Sequence, residues 1–378
     1  MLKGSKSRIE WINGLKGMAC IMVFCHHFFL SFYDAIYYGF EGNVKTASGI
    51  DAAFGTEPIG VLLNGNFAVC LFIMISAFLY AGKVMRATLE DRKLDFFKLF
   101  TKRYLRLMPS VALVGIIYYV LTKLLTHFGL NPFGFESALS VSELIQHILI
   151  YQWITYDPYI LGPLWCMYVL FLGTFVASFF SLFSKKNVWY MPFVYGVIAV
   201  CAYIISPYFM AVILGVMLAD FYYFDRLSEL HIKISKKVSS YIIGFIFIIA
   251  GLLLGGYPSY GVPTNSLYSL LGKLPVGFEF LHSAGAFLLM AGIMLLPKTV
   301  ILSSRVFGFL GDISFGIYLF HSVIINLLSY VLTQRFAELT GNYGLSVFLC
   351  FLITLALLIP VSVLFHKFFE EKYLNRHR

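Results

Sequence analysis

The chain has 378 residues, of which 60% are hydrophobic and 12% charged, with a mean hydropathy of +0.82. A soluble domain carries about 25% charged residues, so a water-soluble enzyme or binding module is excluded and a polytopic membrane protein is expected. The formal net charge of +9 would suit nucleic acid, but the basic residues lie between apolar runs, where membrane topology puts them, and no nucleic-acid partner is expected.

Ten segments have the length a bilayer core requires: residues 9–33, 61–82, 104–126, 161–183, 189–205, 207–224, 241–256, 276–296, 307–331 and 344–366. The expected fold is all-α, a single transmembrane domain over residues 1–378. With the N-terminus in the cytoplasm, only Lys45, Lys123, Lys273 and Arg335 of the 28 Lys and Arg fall outside. That bias orients both termini to the cytoplasm of a multi-pass plasma-membrane protein. The first apolar run is too long for a cleaved leader and reads as an uncleaved span. The six cysteines all lie in spans without a CxxC pair, so neither a disulfide framework nor a metal site is expected.

The first span contains LKGMACIMVFCHHF, residues 15–28, with Lys16, His26 and His27. Ionisable groups inside a membrane are expensive and mark functional sites by default. At about 100° per residue, Lys16 and His27 share one helical face, roughly 16 Å apart in rise, while His26 is swung about 80° away. The loop that follows carries Asp34, Glu41, Asp51 and Glu57 and reads as solvated. In the second span, FIMISAF (residues 72–78) brings Ser76 and Ala77, small residues that permit close helix approach.

The stretch from Lys83 to Pro109 is the most charged of the chain. Its part FFKLFTKRYLRLMP predicts an interfacial amphipathic helix running into the third span. Arg103 and Arg106 are three apart on one face, and two planar guanidiniums so placed suit phosphate groups. Pro109 is expected to bend the entry to the span. The loop 127–160 suggests a short interfacial helix around residues 142–153. LGPLWCMYVLF, residues 161–171, then puts Trp165 and Tyr168 a turn apart at the outer interface, either as an aromatic belt or as a platform for a sugar ring.

Asp220 lies near the cytoplasmic end of its span. Glu279 and His282, at i and i+3, are expected to face each other near the outer end of the eighth span. LGDISFGIYLFH, residues 310–321, aligns Ser314, Tyr318 and His321 as one polar stripe, which must face other helices or a wet cavity.

Four stretches together resemble the acyltransferase family 3 of integral membrane O-acyltransferases: GLKGMACIMVFCHH, FIMISAF, KRYLRLMP and LGDISFGIYLFH. The first resembles the family's basic residue, ten residues, then histidine; the third matches R-x-x-R-x-x-P; the last is similar to LGxISYxIYLxH. The resemblance covers essentially the whole chain. It implies transfer of an acyl group, usually acetyl, from cytoplasmic acyl-CoA to a hydroxyl of an extracytoplasmic glycan or lipid-linked sugar. Acetyl-CoA is then a donor substrate, and no bound cofactor is implied. His27 is the matched histidine and Lys16 its basic partner, with donor phosphates on Arg103, Arg106 and Lys16. His27 would act as general base or as an acetyl-histidine relay, with His321 or Tyr318 orienting it or stabilising the thioester oxygen. Ser76, Trp165, Tyr168, Glu279, His282 and Ser314 complete the candidate acceptor site and its surround. Three positions depart from the pattern: Lys16 stands for the commoner arginine, Ala77 for a glycine, and Cys166 to Val169 where a large branch carries two glutamates. Homo-oligomerisation is compatible with these features. Two non-enzymatic readings compete: a transporter or flippase for a glycan or lipid, and a scaffold with a degenerate site.

Overall fold

The computed structural model describes residues 10–32, 59–128, 140–149, 162–186, 188–224, 226, 237–259, 267–296, 299, 301–341 and 343–371. The acidic residues Asp34, Glu41, Asp51 and Glu57 and the last part of the expected interfacial helix lie outside these. Among the described residues the chain is helical, with no strand.

The helices are α1 (Glu10–Phe32), α2 (Gly65–Leu89), α3 (Phe96–His127), α4 (Val141–Ile148), α5 (Cys166–Ser181), α6 (Met191–Ile205), α7 (Phe209–Tyr223), α8 (Lys237–Gly255), α9 (Phe278–Leu295), α10 (Arg305–Thr340) and α11 (Tyr343–Phe365), the last running into a π-helix at His366–Glu370. Each of the ten expected segments coincides with one of them. Among the described residues, six helical stretches are long and apolar enough to cross a membrane: α2, α3, Gly162–Ser181, α9, Arg305–Leu328 and Leu345–Glu370. Met191–Ile205, Phe209–Tyr223 and Ser240–Gly255 are apolar but shorter.

Local sequence sets the helix starts. Asn64 Oδ1 accepts from Phe67 N at 3.2 Å to open α2, and Asp95 Oδ1 accepts from Lys98 N at 2.9 Å to open α3. α4 begins with a reciprocal box: Ser140 N donates to Glu143 Oε2 at 2.6 Å, and Glu143 N to Ser140 Oγ at 3.1 Å. α3 runs unbroken through Pro109, so the expected interfacial helix and third span are one element of 32 residues.

α2 is the most enclosed long helix: 78% of its apolar window is buried, against 28% for Leu345–Glu370. It packs against α1, α5, α7 and α9. α1 also lies along α10, at a separation that only glycine permits. A Cβ on Gly17 would stand 2.7 Å from Gly311 N and 2.9 Å from Leu310 Cβ. Asn13 then reaches across, donating through Nδ2 to Gly308 O at 2.7 Å and Asp312 Oδ1 at 3.1 Å. Outside, Ile116, Val120, Phe193, Ile204, Phe245, Ile249, Phe348 and Leu352 are exposed, an apolar exterior of the kind that lipid tails cover.

Candidate functional site

α1, α2, α3, α5, α10 and the terminal π-helix enclose a cavity of about 860 Å³ at the end of the bundle where α2 and α3 join. Its wall carries nine Lys and Arg side chains, against the carboxylates Asp95, Asp312 and Glu370. Lys16, Arg103 and Arg106, the expected phosphate-binding residues, all line it, as do Ser76, Ser314 and Tyr318.

Arg103 is the deepest cation, 8% exposed. Its Nη2 donates to Ser76 Oγ at 3.0 Å and Leu170 O at 3.4 Å, and its guanidinium lies 5.1 Å from the Tyr80 ring centroid. Its Nε is buried with no hydrogen-bond partner among the described residues. Burying a charge is costly unless it is matched, and Ser76, Leu170 and the Tyr80 ring supply that match here. Ser76, which the sequence places for close packing, also holds this guanidinium. Tyr80 carries a second cation on its ring, with Lys83 Nζ 4.1 Å from the centroid. Arg106 donates through Nη2 to Glu370 Oε1 at 3.2 Å, and Glu370 Oε2 pairs with His366 Nδ1 at 2.8 Å.

The inner end of the cavity is lined by Phe72, Cys166, Met167, Ser314 and Tyr318. The Tyr318 hydroxyl donates to Pro163 O at 2.5 Å, and its ring meets Phe72 edge-on at 5.9 Å between centroids. Ser314 Oγ donates to Gly311 O at 2.9 Å, and Cys20 Sγ to Ser314 O at 3.3 Å, so these groups tie α10 to itself and to α1.

Beyond Tyr318, α1 and α10 bring two histidines together. The rings of His27 and His321 lie 4.9 Å apart, with His321 Nε2 3.3 Å from His27 Nδ1. His321 Nδ1 donates to Tyr318 O at 2.7 Å, which leaves its Nε2 as an acceptor for the Ser322 hydroxyl at 3.1 Å and for His27. His27 Nδ1 lies 3.0 Å from Val23 O, so it carries the proton and shares it between that carbonyl and His321. The ring nitrogen bearing the lone pair in the neutral His27 is therefore Nε2. Backbone carbonyls and one serine fix both tautomers. His26 turns away: its Nδ1 donates to Leu63 O at 3.0 Å, and its ring packs against the backbone of Gly65, where a Cβ would stand 2.6 Å from the ring.

The expected Glu279–His282 pair does not form. His282 Nε2 donates to Tyr257 O at 2.8 Å, a carbonyl that also accepts from Asn64 Nδ2 at 2.9 Å. Trp165 meets Tyr208 at 4.5 Å between centroids, and Tyr168 is half-buried beside the core. Asp220, expected near an interface, is fully buried in an ion pair with Arg226. All six cysteines are free, and among the described residues no three His, Cys, Asp or Glu side chains are grouped to hold a metal ion.

Sequence reasoning missed Tyr80, Glu370 and the Asn13–Asp312 bridge. Their only signal was a polar side chain at the basic end of an apolar helix, too common to single them out. The cation-lined cavity thus ends at Tyr318, and the His27–His321 pair lies one helical turn further along α1 and α10. A family model described as an acyltransferase domain, of acyltransferase family 3, matches residues 9–366. No curated protein and no solved structure matches the chain.

Proposed function

The chain belongs to acyltransferase family 3, and from that premise we propose that it is a membrane O-acetyltransferase taking acetyl from acetyl-CoA to a hydroxyl of an extracytoplasmic glycan or lipid-linked sugar. In this reading both termini are cytoplasmic, ten helices cross the plasma membrane, and the basic cavity opens to the cytoplasm. The donor's phosphates rest against Arg103, Arg106 and Lys16, and its thin pantetheine arm runs along the first span, past Tyr318, toward His27.

The chemistry then needs one proton carried between two substrates. His27 Nε2 takes the acceptor hydroxyl proton as the oxygen attacks the thioester carbonyl. The carbon–sulfur bond breaks, the thiolate recovers that proton from His27, and no net proton is released. His321 Nε2, accepting from His27 Nδ1–H, steadies the transient imidazolium. Trp165 and Tyr168 are the proposed platform for the acceptor sugar, and Glu279 and His282 lie in its surround.

The observation that carries this reading is the cavity whose wall gathers nine Lys and Arg side chains, with Arg103 buried deepest and held by Ser76. The test is acetyl-CoA turnover by purified protein in lipid, read as free thiol, with and without glycan-bearing membrane extract. An acyltransferase releases thiol and labels the glycan. Saturable binding of the glycan with no thiol release would instead identify a carrier.

A further inference from the structure

We infer that Glu370 is an exchange counter-ion of the donor cavity, holding Arg106 when the cavity is empty and reclaiming it as coenzyme A leaves; this rests on the donor-binding reading above. Glu370 is placed for that by the π-helix His366–Glu370, whose wider turn follows the end of α11 and sets the side chain into the cavity wall. Its side chain is 5% exposed, whereas that of Arg106 is 38% exposed. The guanidinium therefore reaches from a buried carboxylate toward the open cavity. One carboxylate oxygen takes Arg106 Nη2 at 3.2 Å, and the other is kept by His366 at 2.8 Å. A donor phosphate arriving at Arg106 meets a fork already partly engaged by a negative charge.

The chemistry of the substrates gives that arrangement a use. Acetyl-CoA and coenzyme A carry the same phosphates. A wall of cations binds both equally, and such uniform binding does not help turnover once the site is filled. It also retains the product. A fixed carboxylate beside the clamp lowers affinity for both and offers Arg106 a partner as the phosphate departs. Among the described residues no carboxylate pairs with Arg103: it meets a hydroxyl, a carbonyl and the Tyr80 ring. The two arginines of one motif then differ in role, Arg103 as the fixed anchor and Arg106 as the exchangeable one.

The experiment compares wild-type protein with Glu370→Gln in lipid nanodiscs, measuring coenzyme A affinity and dissociation rate and steady-state kcat. The expected result is coenzyme A bound about two- to fivefold tighter, the size of an ion pair near a protein surface, with slower dissociation and a lower kcat. Affinity equal to or weaker than wild type overturns the inference, because a merely structural glutamate costs stability without tightening the ligand. Glu370→Asp, a methylene short of Arg106, serves if the amide variant does not accumulate; it is expected to tighten binding by a smaller factor, and unchanged affinity there is equally fatal. Failure of wild-type protein to bind coenzyme A at all overturns the donor reading itself.

Discussion

The two ends of the site are built on opposite plans. The cavity end is wide and redundant: nine cations share its wall, and three carboxylates temper them. The histidine end rests on one pair of rings. His27 and His321 face each other at 3.3 Å, and each ring nitrogen facing the pair is assigned by a carbonyl or a serine. Binding energy spread over many charges should respond to single substitutions by degrees. Proton transfer through one imidazole should respond all at once.

Substitutions at each end test that contrast. His27→Ala is expected to lower kcat by at least about 10²-fold, the usual contribution of a positioned acid–base group. Arg103→Ala should raise KM for acetyl-CoA by about ten- to a hundredfold, as a charged hydrogen-bond donor is lost, with kcat much less affected. Steady-state kinetics on both variants separates the two ends, and a kcat defect in Arg103→Ala equal to that of His27→Ala would break the contrast. Gly65→Ala should destabilise by about 1–3 kcal/mol, because its Cβ would stand 2.6 Å from the His26 ring; thermal unfolding in lipid reads it. Smallest of all, Lys16→Arg should lower KM about two- to fivefold by restoring a bidentate fork.

Much of this was legible in the sequence, and the limits are physical. Apolar run length located ten helices, because a bilayer leaves backbone groups no partner other than their own helix. Helical phase separated His27 from His26, and the structure turns His27 to α10 and His26 to Leu63 O. Phase gives the face of a side chain but not what stands opposite it. Glu279 and His282 had the spacing to meet, yet the Tyr257 carbonyl holds His282. The same limit hid Glu370. In sequence it is one acid in a charged tail, and only the π-helix carries it to Arg106, 264 residues away.

The central claim is that binding and chemistry sit at separate ends of one path along α1 and α10. Its most direct test is thiol release from acetyl-CoA by His27→Ala, measured on a preparation whose coenzyme A affinity is determined in parallel. The account predicts wild-type affinity with turnover lost. Turnover near wild type, or loss of coenzyme A binding together with activity, would contradict it.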